Sequence, residues 1–228
     1  LHKLINSETN HGKEFLDIKK IKDIESNLIL DNFNFAIQSK YDGWVETDIL
    51  INRIKKKLIA KKNIKFINAE VKNVISKNNN VKYLELDDNN KTKIFSEMYL
   101  FAAGFQTSKI ASMMNIYLPQ IISPGIVIST KPTTKVLKKY SSLNLITEND
   151  IPHIHFRQNH DNEIICGIGS QDESQFINPN EFAVKLHDEL SKYLKHKIVY
   201  SDYKYGLRVM PKDGLPIIGL YENSNVYI

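Results

Sequence analysis

The chain has 228 residues, of which 42% are hydrophobic, 25% charged and 10% aromatic, a globular balance that excludes wholesale disorder. No apolar run approaches the roughly eighteen residues of a membrane-spanning helix. The net charge of +5 comes from 31 Lys+Arg against 26 Asp+Glu, but the lysines are scattered among asparagines, so they read as a solvated surface and not as a nucleic-acid patch.

In chain order, Leu16, Ile18, Ile21 and Ile24 suggest a short helix, and an apolar stretch follows at Leu28-Ile29-Leu30. Phe33, Phe35 and Ile37 alternate with polar residues, as a half-buried strand does. Tyr41-Asp42-Gly43-Trp44 reads as a turn. Thr47 as N-cap, Asp48 in the first turn, and Leu50, Ile54 and Leu58 at helical spacing predict a helix. Short strands are predicted over 64–68, 71–75, 81–86 and 92–95, with turns at 78–80 and 87–90. Residues 98–103 form an apolar run that reads as a buried strand, after which Thr107 or Ser108 caps a helix carrying Ile110, Met113 and Met114. Beyond Pro119, the segments 126–130, 154–156 and 164–168 look like strands of a largely antiparallel sheet. Asn178-Pro179-Asn180-Glu181 is a helix start, and Phe182, Leu186, Leu190 and Leu194 then face one core. The reading is mixed α/β (α+β), in two layers or domains.

Three segments have the residue types that chemistry needs. Between Gly206 and Gly219, three glycines, two prolines and the pair Asp213-Gly214 predict a backbone bent repeatedly and pinned in place. Arg208 in that frame suits bidentate recognition of a carboxylate or phosphate; a structural turn with Arg208 paired to an internal acid is the other reading. Only Arg53, Arg157 and Arg208 are arginine, so each marks a place where a planar fork is wanted. Ala102-Ala103-Gly104 ends a strand in small residues, which admits a flat ligand or simply close strand–helix packing. His153, His155 and Arg157 share one strand face, suited to a polar pocket, but no acid or sulfur partner stands at metal-binding spacing. Gly167-Ile168-Gly169-Ser170 lacks the lysine of a phosphate loop, and no catalytic triad or acid pair is present. Cys166, the single cysteine, reads as a structural thiol and fits a reducing, cytoplasmic compartment.

Taken together, these segments resemble the FAD-dependent D-amino acid oxidase and glycine oxidase family. Gly206-Leu207-Arg208 followed by Lys212-Asp213-Gly214-Leu215-Pro216-Ile217-Ile218-Gly219 closely resembles a late motif of that family. Tyr41-Asp42-Gly43-Trp44-Val45, with Glu46, resembles its Gly-x-Val-Asp entry to a helix. The run from Glu70-Val71 to Ile75 resembles the strand whose valine backbone meets the adenosine part of FAD. Residues 100–104 resemble its flavin-side strand, and His155-Phe156-Arg157 through Gly167 its substrate-domain hairpin.

The resemblance implies a partial FAD-binding Rossmann-like domain plus an antiparallel-sheet substrate domain. Residues 1–40 would begin the substrate domain, 41–118 form the middle of the FAD-binding domain, 119–205 continue the substrate domain, and 206–228 return to the FAD-binding domain. It implies non-covalent FAD bound partly by Val71, Ala103 and Gly104, since no cysteine lies in the late motif. It further implies an amino acid or related amine as substrate, oxidised by hydride transfer to the flavin. Arg208 would grip its carboxylate, and His153 stands where some relatives place a carboxylate-contacting tyrosine. The family's Gly-x-Gly-x-x-Gly segment and its late Gly-His turn do not occur in residues 1–228, and Val209 replaces a common proline. The expectation is therefore a chain truncated at both ends, weak in FAD binding and inactive by itself. The alternatives are a 2-hydroxy acid or transfer-RNA uridine oxidoreductase of the same fold, and a non-catalytic Lys-rich binding module.

Overall fold

Strand β1 (Lys13–Asp17) leads into helix α1 (Ile18–Ile24), strand β2 (Phe35–Ser39) and helix α2 (Thr47–Ile59). Strands β3 (Val71–Lys77), β4 (Asn80–Leu86), β5 (Lys93–Ile94) and β6 (Tyr99–Leu100) follow. A 3-10 turn over Gly104–Gln106 then precedes helix α3 (Thr107–Ser112) and the long strand β7 (Gln120–Thr130). Strands β8 (Ser142–Ile146), β9 (His153–Gln158) and β10 (Ile164–Ile168), helix α4 (Pro179–Ser191), and strands β11 (Tyr200–Pro211) and β12 (Val226–Tyr227) complete the order. This computed structural model describes residues 12–137, 142–168 and 178–228; residues 1–11 of the 1–40 segment, and Gly169 and Ser170, lie outside them. The class is mixed α/β with an antiparallel sheet, in two compact units: residues 1–52 with 125–206, and residues 53–124 with 207–228.

In the first unit, the helix predicted from Leu16 starts two residues later. Asp17 is the better N-cap: its carboxylate accepts from Lys20 N–H at 2.8 Å, and Leu16 is left in β1, 1% exposed. β1 pairs antiparallel with β2, and Phe15 stacks on Phe35 with ring centres 5.1 Å apart. The sheet order β11-β7-β10-β9-β8 includes β8, which the sequence did not reveal. β10 runs antiparallel to both β7 and β9, and β8 antiparallel to β9. On β9, Ile154 and Phe156 turn inward into the apolar cluster that also holds Leu186 and Leu190 of α4. Asn178 caps α4 by accepting from the N–H groups of Asn180 at 3.1 Å and Glu181 at 3.4 Å. Buried Glu189 accepts from Tyr193 Oη at 2.8 Å, Asn149 Nδ2 at 2.6 Å and Lys192 Nζ at 2.6 Å. Burial opposes its charge, but these donors hold its carboxyl below the usual range.

The second unit is built on the hairpin of β3 and β4, extended by β5. Asn78 and Asn79 take the left-handed conformation, φ 51° and 61°, which a two-residue hairpin turn requires and asparagine tolerates. β6 pairs in parallel with β12, and Tyr99, Phe101 and Val226 share a small core with Val74 and Val81. Asn225 clamps β4: its Oδ1 accepts from Val81 N–H at 2.8 Å and its Nδ2 donates to Val81 O at 3.0 Å. The strand expected over 64–68 does not form. Among the described residues nothing pairs with it, and Ile64, Phe66 and Ile67 are exposed, so β-rich composition alone finds no ladder there. Among the described residues, no helix is long and apolar enough to cross a membrane.

Candidate functional site

Val71 opens β3 and pairs with Leu86 of β4; Glu70, just before it, accepts Asp87 N–H on its backbone oxygen at 2.8 Å. Across from this strand start, the chain leaves β6 and turns. Ala103 precedes the 3-10 turn, and its N–H donates to Thr107 Oγ1 at 2.9 Å. Thr107 therefore ties the turn backward instead of capping α3, whose cap position falls on Gln106. Gly104 adopts φ 58°, a left-handed conformation that favours glycine, and a Cβ placed there would meet nothing within 4 Å.

Between these two pieces lies a pocket of about 270 Å³. Ala69, Glu70 and Val71 form one wall, Ala103 the end, and Gln106, Lys109, Ile110 and Met113 the other wall. Val71 and Ala103, both expected to hold cofactor, thus meet in one place, and Gly104 shapes the turn beside it. The sequence reading missed Gln106 and Lys109. Their spacing with Ile110 and Met113 (three, four and seven residues) is that of one helical face, the signal that marks them. Lys109 Nζ and Glu70 Oε1 approach to 4.0 Å across the pocket mouth; both are well exposed, so the pair is weak. Apolar walls with one carboxylate at the rim suit a flat ring carrying hydroxyl donors. The volume lies just under that of a whole small-molecule site, so the pocket fits part of a dinucleotide.

Arg208 belongs to this same unit. It lies half-buried on β11, where Nη2 donates to Pro124 O at 3.3 Å. The frame around it differs from the expected one. Residues 206–211 are strand, and the bending begins only at the turn over 211–214, where Gly214 N–H donates to Pro211 O at 3.0 Å with φ 76°. Gly206 and Gly219 take no left-handed conformation; Gly219 instead exchanges two backbone hydrogen bonds with Ile228, at 2.9 and 3.0 Å.

His153 belongs to the first unit, exposed at the start of β9 and opposite Ile146. It shares the outward sheet face with His155, ring centres 6.4 Å apart, and with Arg157. His155 stands opposite Gly167, where a Cβ would lie 2.7 Å from His155 Nε2, so the glycine makes room for the ring. His153 and Arg208 therefore fall in different units. Among the described residues, no group of His, Cys, Asp or Glu is arranged to hold a metal ion.

The family model described as DAO, FAD dependent oxidoreductase, matches residues 1–228. The chain belongs to this family of FAD-dependent oxidoreductases. Its fold is similar to that of glycine oxidase from Bacillus cereus ATCC 14579, at TM-score 0.77 and 15% identity over 99% of this chain and 61% of that one. It is also similar to L-proline dehydrogenase from P. horikoshii, at TM-score 0.78 and 20% identity over 99% of this chain and 60% of that one. Iminodiacetate oxidase from Chelativorans sp. BNC1 matches at TM-score 0.76 and 13% identity, over 99% of this chain and 60% of that one. The chain thus spans about three fifths of the length of these proteins. No curated protein matches the chain.

Proposed function

We propose that the protein serves an FAD-dependent oxidation of the C–N bond of an amino acid or related amine. The unit of residues 53–124 and 207–228 is then its share of the FAD-binding part, and the unit of residues 1–52 and 125–206 its substrate part. The observation that carries this reading is the pocket joining the start of β3 to the Ala103 turn, in a chain of an FAD-dependent family. Bound FAD supplies the acceptor for the hydride on the substrate's α-carbon.

The chain's own residues bind and orient. Val71 and Ala103 present backbone and small apolar surface to the adenosine end, and Glu70 accepts from its hydroxyl groups. Gly104 lets the chain turn without crowding the space beside it. Arg208 offers its guanidinium to the substrate carboxylate. An amine that enters neutral needs no strong base to release its hydride, so positioning accounts for the residues present.

Anaerobic addition of amino acids, amines or 2-hydroxy acids to the FAD-loaded full-length protein tests the reading through the flavin absorbance. Bleaching by an amino acid or amine is expected. Bleaching by 2-hydroxy acids alone, or by none of the three classes, overturns it. Ala103→Leu, which fills the pocket end, is expected to weaken FAD binding in a fluorescence titration.

A further inference from the structure

Arg157 lies half-buried near the end of β9, on the outward face of the first unit's sheet. Its guanidinium carbon sits 5.0 Å from the centre of the Trp44 ring. None of the ion pairs among the described residues includes it. Its Nε is shielded from solvent and has no hydrogen-bond partner among the described residues. Glu46, two residues from Trp44, is already engaged: it accepts from the His160 backbone N–H at 3.3 Å and lies 3.1 Å from His160 Nδ1.

A guanidinium has two faces and an edge. The indole covers one face, and attraction to its π-cloud holds the cation without using any N–H donor. The edge therefore keeps its fork. Nε is sealed from solution, so the donors a ligand can reach are the two Nη groups, and a planar pair of oxygens, a carboxylate, fits them end-on. Ser142 and Ile165 stand opposite Arg157 on the two flanking strands, which adds one hydroxyl and one apolar wall. Such walls favour a small acid with a short apolar remainder.

We propose that Arg157, backed by Trp44, is a binding site for the carboxylate of a small molecule, in addition to the contact proposed at Arg208. It stands whether or not Arg208 binds substrate. Trp44 is the single tryptophan of the 228 residues, so its emission reports on the site directly. The purified protein is titrated with propionate, with propionamide, and with sodium chloride at matched ionic strength. A saturable change in Trp44 emission is expected with propionate, and none with the amide or the salt. Arg157→Gln is expected to abolish the response and Arg157→Lys to weaken it about tenfold, since lysine keeps the charge but loses the fork. Arg208→Lys is expected to leave it unchanged. Equal responses to propionate and propionamide, or no saturable response, overturn the proposal without reference to any variant. So do Arg157 variants that titrate as the parent does, with unchanged circular dichroism. A response lost in Arg208→Lys and kept in Arg157→Lys moves the carboxylate to Arg208 and equally overturns it.

Discussion

Replacing Gln158 by leucine tests how the first unit holds residues 134–137 against β9. Gln158 sits on the inward face of β9, 8% exposed. Its Oε1 accepts from Val136 N–H at 2.8 Å and Leu137 N–H at 3.2 Å. Its Nε2 donates to Thr134 O at 2.9 Å and Asn162 O at 3.2 Å. Leucine nearly keeps the volume and removes all four bonds. Thr134 and Asn162 are exposed residues, so their carbonyls regain water; Val136 and Leu137 are 0% and 1% exposed, so their N–H groups do not. Two stranded donors at about 1–3 kcal/mol each give an expected loss of about 2–6 kcal/mol. That is a large part of the ~5–15 kcal/mol that stabilises a typical domain. Urea unfolding followed by far-ultraviolet circular dichroism measures it, with the slope unchanged if only the native state is affected. Gln158→Glu refines the test. It keeps the acceptor for both N–H groups but sets an oxygen against two carbonyls unless it is protonated, so its folded-state pKa rises. The stability of that variant should be greatest at acid pH and decline as pH rises through the raised value. A loss below about 1 kcal/mol in Gln158→Leu would refute the reasoning, because the two N–H groups would then have found other partners.

Three further outcomes are expected. In the FAD-loaded enzyme, Arg208→Lys should lose about 2–4 kcal/mol of transition-state binding for amino acids, and much less for amines without a carboxylate. Steady-state kinetics on matched substrates read this, and equal losses would place Arg208 in a structural role. The hydrogen bond to Glu46 raises His160 above its ordinary pKa of 6.5. Its contribution to stability is therefore present below that value and lost as pH rises through the higher folded one; Glu46→Gln should return the His160 titration, followed by NMR, to the ordinary range. Burial pushes the Cys166 thiol well up, so iodoacetamide should spare it at neutral pH in the native protein and modify it fully in urea.

Where one local rule dominated, the sequence was readable. The Asn178 cap and the apolar spacing from Phe182 to Leu194 are short-range signals, and α4 stands where they point. The β9 alternation also holds, because a half-buried strand must sort its side chains by face. Legibility failed where a partner strand decides. Residues 64–68 are β-rich but have nothing beside them among the described residues, and β8 exists through its pairing with β9. The run 206–219 misled in its first half, because glycine and proline permit a bend but do not compel one. Val71 and Ala103, singled out through resemblance, line one pocket, whereas Gln106 and Lys109 beside them needed the turn to be placed first. The Trp44–Arg157 stack was hidden because it joins a loop to a strand more than a hundred positions away.

The Asn225 clamp on Val81 has a consequence for the order of folding. The two residues are 144 positions apart, and β12 is the neighbour that completes the β6 edge. Of residues 1–228, those of the first unit have all been synthesised by residue 206, while the second unit still waits for residues 207–228. Until those arrive, Val74, Val81, Tyr99 and Phe101 have no Val226 to pack against, and the β6 edge stays open to other chains. The segment translated earlier, residues 53–124, therefore consolidates later. A nascent chain stalled short of Asn225 should offer protease a folded first unit and an open second one.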